Sequence, residues 1–262
     1  MKQTRKKEMG KKGNKGYPVF RFFAWLIGTF YREPEIIGTE NLPDEPCIIV
    51  GNHCKMNGPI IAQLYLPGKV SIWCIGQMMH TKEVPDYAFH DFWAEKPFYS
   101  RWFFWLVSRV LAPLAAAALG NADTIAVYHD MRSLGTFRES VEKLQEGRHL
   151  VIFPEQDIPY NHILCDFQDK FVDTARFYYK KTKRNVCFVP LYNAPMLHKT
   201  VLGKPIYFDG SKPIAEERER ICTELKESIT ALAVSLPRHK VVPYNNLKKK
   251  YYLWNKDEDK DS

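Results

Sequence analysis

Apolar, strand-like runs alternate with helical stretches along most of the chain, and this alternation limits the possible folds more than any other feature. The runs CIIVGNH (47–53), KVSIWCIG (69–76), DTIAVYH (123–129), HLVIFPE (149–155) and NVCFVPLYN (185–193) read as buried strands. Between and after them, PIIAQLYLP (59–67), SLGTFRESVEKLQEG (133–147), FQDKFVDTARFYYKKT (167–182) and KPIAEERERICTELKESITALAVSL (212–236) read as helices, the second closed by Gly147. Such an order predicts an α/β fold, a central and mostly parallel sheet flanked by helices. With no repeat and no internal linker, one domain is expected over residues 35–245. Its 262 residues are 45% hydrophobic, enough for a sizeable core.

Both ends are charged. Residues 1–16 carry seven Lys or Arg against one Glu, which accounts for most of the net charge of +8. This basic arm leads directly into YPVFRFFAWLIGTFY (17–31), which is aromatic and has a single charge, Arg21. The stretch is shorter than the roughly 20 apolar residues a membrane span needs, so residues 17–34 are expected to form an interfacial helix. Together the two predict peripheral attachment to an anionic leaflet, on the cytoplasmic face of a membrane. The alternative is an amphipathic helix packed on its own core beside a solvated arm. RWFFWLVSRVLAPLAAAALG (101–120) is the most hydrophobic stretch, but Arg109 and Pro113 favour a buried or interfacial helix, broken at the proline, over a span. It suits the wall of an acyl channel or packed core equally. Residues 246–262 read as a charged tail with a basic-aromatic patch, Lys248 to Trp254. The six cysteines form no CxxC pair, which gives no sign of a zinc ribbon or disulfide framework and suits a reducing compartment.

In α/β folds ligands gather where strands end, which directs attention to NHCKMNGP (52–59), VYHDMRS (127–133), FPEQD (153–157) and VPLYNAP (189–195). Nucleophile-elbow, Walker and dinucleotide motifs are absent from the sequence. His80, His90, His162 and His198 have no partner at metal-ligand spacing, so no metal site is expected.

The order of these four blocks resembles the motifs of the PlsC-like glycerolipid acyltransferases, the lysophospholipid acyltransferase family, over roughly residues 35–245. The resemblance implies a glycerol-3-phosphate acyltransferase-like fold. It also implies transfer of a fatty acyl group from an acyl-carrier-protein or coenzyme A thioester, a co-substrate rather than a bound cofactor, to a lysophosphatidate-type hydroxyl. His53 then corresponds to the histidine of NHxxxxD, the general base of that family. A neutral imidazole with an ordinary pKa near 6.5 can take the hydroxyl proton at physiological pH. The resemblance further implies that Glu155, with Phe153 and Pro154, helps to bind the glycerol part of the acceptor, and that Pro190 shapes an acyl-channel wall. Asn52, Asp130 and Lys170 complete the expected substrate-binding set.

Two departures stand out. The motif aspartate is missing: Gly58 stands five residues after His53, and Asn57 one residue earlier. Asn57 reads either as the residue orienting the imidazole or, with Gly58 as the other candidate, as a helix cap before Pro59. Alternatively a distant carboxylate, Asp157, Asp130 or Asp91, reaches His53, or the site is inactive. An amide offers no charge to an imidazolium, and in a serine protease the Asp-to-Asn change costs about four powers of ten. Asp157 has a second reading as a turn residue before Pro159. The arginine of the family's FPEGTRS block is also missing, so the phosphate clamp is either rebuilt from Lys55, His129, Arg132, His162, Lys170 or Arg176, or is not needed. A catalytically inactive lipid-binding homologue is therefore the competing expectation. Nucleic-acid binding is the weakest, since the basic charge is terminal rather than spread over a face.

Overall fold

The computed structural model describes residues 18–88, 98–120, 123–128, 132–245 and 247–257. In chain order the elements are α1 (Pro18–Phe30), β1 (Glu35–Ile37), β2 (Ile48–Gly51), α2 (Asn57–Tyr65), β3 (Val70–Ile75), α3 (Val84–Ala88) and α4 (Phe98–Gly120). They continue with β4 (Thr124–Val127), α5 (Ser133–Gln145), β5 (His149–Ile152), β6 (Glu155–Pro159), β7 (Cys165–Phe167), α6 (Asp173–Thr182), β8 (Cys187–Ala194), β9 (Lys199–Leu202), β10 (Ile206–Tyr207) and α7 (Ile214–Ser235). The chain divides into two compact units, Met1–Tyr31 with Ser71–Thr136, and Arg32–Val70 with Phe137–Ser262.

In the second unit the strands run in the order β1-β9-β8-β2-β5, with β10 also on β8. Pairs β1–β9, β8–β2 and β2–β5 are parallel. β9 and β10 pair antiparallel with β8, a departure from an all-parallel pattern. Ile48, Ile49 and Val50 are fully buried, as expected for a β-branched run inside a parallel sheet. Pro190 fits within β8 because its carbonyl, and hence its missing N–H, faces the stretch between the β10 and β9 pairings, where Gly203 N–H reaches that carbonyl at 2.8 Å. Helix α7 packs on β8 through Ile221, Leu225, Ile229 and Ala233, a stripe at four-residue spacing.

A two-stranded antiparallel hairpin, β6–β7, occupies a region the sequence suggested as a turn leading to a helix. Its connection is made by Asn161, whose side-chain oxygen accepts the N–H groups of Ile163 and Leu164, each at 2.8 Å. A helix follows only after this hairpin.

In the first unit β3 and β4 pair in parallel, and α4 runs through Pro113 without breaking. Arg109, whose carbonyl loses its helical donor to that proline, lies like Pro113 on an exposed face where water can replace the bond. α4 buries Ser108 and Ala112, the latter against Val84 with Met78. It exposes Tyr99, Trp102, Phe103, Leu106 and Val110 at three- and four-residue spacing. Of the two readings of this stretch, acyl-channel wall or packed core, packed core does not hold for the exposed face from Tyr99 to Val110.

Candidate active site

Strand β2 lies between β5 and β8, with Val50 opposite Ile152 on one side and Pro190 on the other. Its last residue must be glycine, because a Cβ on Gly51 would stand 2.8 Å from the Leu191 carbonyl oxygen. Asn52, buried next to it, is clamped to β8. Its Oδ1 accepts the Asn193 N–H at 2.7 Å, its Nδ2 donates to the Asn193 carbonyl at 3.1 Å, and its own carbonyl accepts Asn193 Nδ2 at 3.1 Å. Thr200 then donates to Asn193 Oδ1 at 3.1 Å. The Asn52 amide, expected to touch substrate, is thus committed to the β8 backbone and to Cys54 Sγ at 2.9 Å.

His53 follows at the strand exit and is half-buried. Its ring meets Phe153 edge-on at 5.4 Å between centroids and Tyr244 at 5.8 Å. Its backbone N–H donates to Glu155 Oε2 at 2.6 Å. Cys54 and Lys55 come next, both left-handed, at φ 49° and 59°. Two successive non-glycine residues in that region cost of order 1 kcal/mol or more each, a strain that surrounding structure must hold in place. The chain then enters α2, with Met56 at its cap. Asn57 begins the helix and turns its amide N–H to the Cys54 carbonyl at 2.9 Å. Gly58 donates its N–H to the His53 carbonyl at 3.0 Å.

Position 58 cannot carry an aspartate in this backbone. A Cβ there would lie 2.6 Å from the His53 carbonyl oxygen and 2.9 Å from the Phe153 ring. The missing motif residue is thus matched by a corner that closes tightly over its slot.

Glu155, the first residue of β6, is 5% exposed. Its second oxygen, Oε1, accepts the Cys165 N–H of β7 at 3.2 Å. Burial pushes its carboxyl up to about 7, against the downward pull of the His53 and Cys165 N–H donors. Burial likewise raises the Cys54 thiol and the Tyr192 hydroxyl well above their usual ranges.

The remaining expected residues are dispersed. Lys55 Nζ donates to the Leu247 carbonyl at 3.2 Å and stands 5.5 Å from the centre of the Tyr252 ring. Asp157, a candidate carboxylate for His53 with a second reading as a turn residue, lies exposed in strand β6. Lys170 is exposed in a short helical turn before α6, and His162 Nε2 lies 3.2 Å from the Asn255 carbonyl. Arg132, in the first unit, stacks on Tyr128 at 3.9 Å. His129, Asp130 and Asp91 lie outside the described residues. Among the described residues, no group of His, Cys, Asp or Glu is arranged to hold a metal ion.

Sequence reasoning missed four contributors. Asn193 stood within the quoted VPLYNAP block, and an amide at the exit of a buried strand was the signal that could have found it. Tyr244 had no such signal. Tyr192 and His239, both buried, form a pair: His239 Nδ1 donates to the Pro237 carbonyl at 2.8 Å, leaving Nε2 to accept from the Tyr192 hydroxyl at 2.9 Å. The C-terminal segment also joins the corner, with Tyr252 packed on Cys54 and Val242.

No protein-family model matches the chain, and no curated protein matches it. Among solved structures, it is similar to the 1-acyl-sn-glycerophosphate (LPA) acyltransferase PlsC from Thermotoga maritima, with 18% identity over 86% of this chain and 79% of that one, at a TM-score of 0.44. A likeness at that level does not extend to function.

Proposed function

We propose that the protein is an acyltransferase in which His53 is the general base. The supporting observation is a half-buried imidazole at the exit of an inner strand, on a strained corner held by a carboxylate and an amide clamp. His53 takes the proton of an acceptor hydroxyl as its oxygen attacks the carbonyl carbon of an acyl thioester. The C–S bond then breaks, and the imidazolium returns its proton to the departing thiolate. The acceptor is a lysophosphatidate or glycerophospholipid-type alcohol, and the donor a coenzyme A or acyl-carrier-protein thioester. These substrate classes rest on the motif resemblance alone.

The protein acts at the cytoplasmic face of a membrane, attached peripherally to anionic lipid. Supporting this are the basic arm and the aromatic residues exposed on α1 and α4, with Phe30 83% and Phe98 85% exposed. Among the described residues, no helix is long and apolar enough to cross a membrane.

The test is mass spectrometry of lipids formed when purified protein meets mixed acyl donors and lysolipid acceptors. A new acylated product that disappears in His53→Ala, with the fold retained, is the expected result. Turnover by His53→Ala at the wild-type rate refutes the base assignment, and no product from wild type favours the non-catalytic lipid-binding reading.

A further inference from the structure

We propose that Glu155 is a positioning residue that holds the base through the main chain, and not a ligand of the acceptor. The inference rests on the reading of His53 as the base. The resemblance implied that Glu155 touches substrate, but here both of its oxygens are engaged within the protein, Oε2 by His53 N–H at 2.6 Å and Oε1 by Cys165 N–H at 3.2 Å. The residue is also buried, which leaves little surface for a ligand.

One side chain therefore joins three segments: the exit of β2, the start of β6 and the facing strand β7. The bond to His53 matters most, because the next two residues sit in left-handed conformations that the backbone leaves readily unless it is held. Fixing the N–H of residue 53 fixes the origin of the imidazole, and the Phe153 and Tyr244 rings limit its swing. The carboxylate thereby anchors the base through its main chain, where a motif aspartate would hold its ring. Gly58 leaves no room for that aspartate.

Titratable groups facing Glu155 are the Cys54 thiol from the corner, the Cys165 thiol from β7 and the Tyr192 hydroxyl from β8. Burial keeps all three neutral near pH 7, with Cys165 pushed up to about 11. Of these groups and Glu155, only the carboxyl changes charge near neutral pH. Protonating Glu155 turns one acceptor oxygen into a hydroxyl and weakens the brace, so activity declines as pH falls through about 7.

Glu155→Gln is the informative variant, since its amide preserves size but must point an NH2 at one of the two N–H donors. Expected are a fall in kcat of roughly tenfold or more with acceptor KM within about twofold, and an acid limb of log kcat against pH that loses one proton dependence. A raised acceptor KM at unchanged kcat overturns the proposal. A second measurement needs neither turnover nor a variant: wild-type protein labelled with 15N-histidine and 15N-cysteine. The amide protons of His53 and Cys165 should lie downfield and titrate together near neutral pH. Independent or absent titration of the two overturns the brace even in a protein that forms no product. Joint titration alongside an active His53→Ala leaves the brace standing and removes the base.

Discussion

Asn52 and Asn193 exchange three hydrogen bonds, fastening the exit of β2 to β8 through both backbone groups of Asn193, the backbone carbonyl of Asn52 and the side-chain amide of each residue. Truncating Asn193 to alanine leaves the buried Asn52 carbonyl without this donor and Thr200 without its acceptor. A loss of about 1–3 kcal/mol is expected, read as a lower urea midpoint at an unchanged denaturant slope. Turnover should fall with it, because the clamp adjoins His53.

Placing an aspartate at position 58, where the resembled motif has one, should fail. In Gly58→Asp the new Cβ meets the His53 carbonyl and the Phe153 ring, and overpacking of this kind costs about 1–3 kcal/mol. Thermal unfolding should show the loss, and kcat should drop rather than rise. An increase in kcat would mean that the corner opens freely.

The buried Glu155 predicts a definite pH dependence of stability. Its carboxyl has an ordinary value of 4.5 and is raised to about 7 in the folded chain. Below 4.5 it is neutral in both states and burial carries no charge penalty; as pH rises through about 7 the folded state must hold a desolvated anion. Wild type should lose about 3 kcal/mol relative to Glu155→Gln over that window. Paired urea titrations at pH 4.5 and 8 measure it.

His239 acts in the opposite sense. Burial lowers its pKa from the ordinary 6.5, so the folded state resists a proton that the unfolded chain accepts. Its contribution is complete above 6.5 and is lost as pH falls below that value. Tyr192→Phe removes the donor to Nε2 and should cost roughly 1–3 kcal/mol at neutral pH. The difference from wild type should shrink in acid, as followed by denaturation from pH 7 to 5.

Trp102→Glu on α4 tests the lipid surface. Flotation with vesicles containing phosphatidylglycerol should recover less of the variant than of wild type, while neutral vesicles should recover little of either. Equal recovery of the variant and wild type removes α4 from the membrane contact.

Much of the fold was legible because its strands are continuous β-branched runs and its long helix carries a four-residue apolar stripe. The hairpin β6–β7 was not, since EQDIP has weak alternation and its connection depends on the side chain of Asn161. β10, at two residues, was too short to announce itself. Pro113 misled because a proline on an exposed helical face leaves its orphaned carbonyl to water. At the site, the strand exit and His53 were visible. The roles of Asn52 and Glu155 were not, because a sequence gives residue types at a corner and not which oxygen faces a main-chain N–H.

Lys55 reaches the Leu247 carbonyl across 192 residues, and Tyr252 covers Cys54. On a ribosome, the corner that bears His53 emerges well before the segment that makes these contacts. A nascent chain stalled before Leu247 would have its sheet strands in hand and its corner unfinished, so emergence of the Leu247–Tyr252 segment becomes the step that closes the corner beside His53.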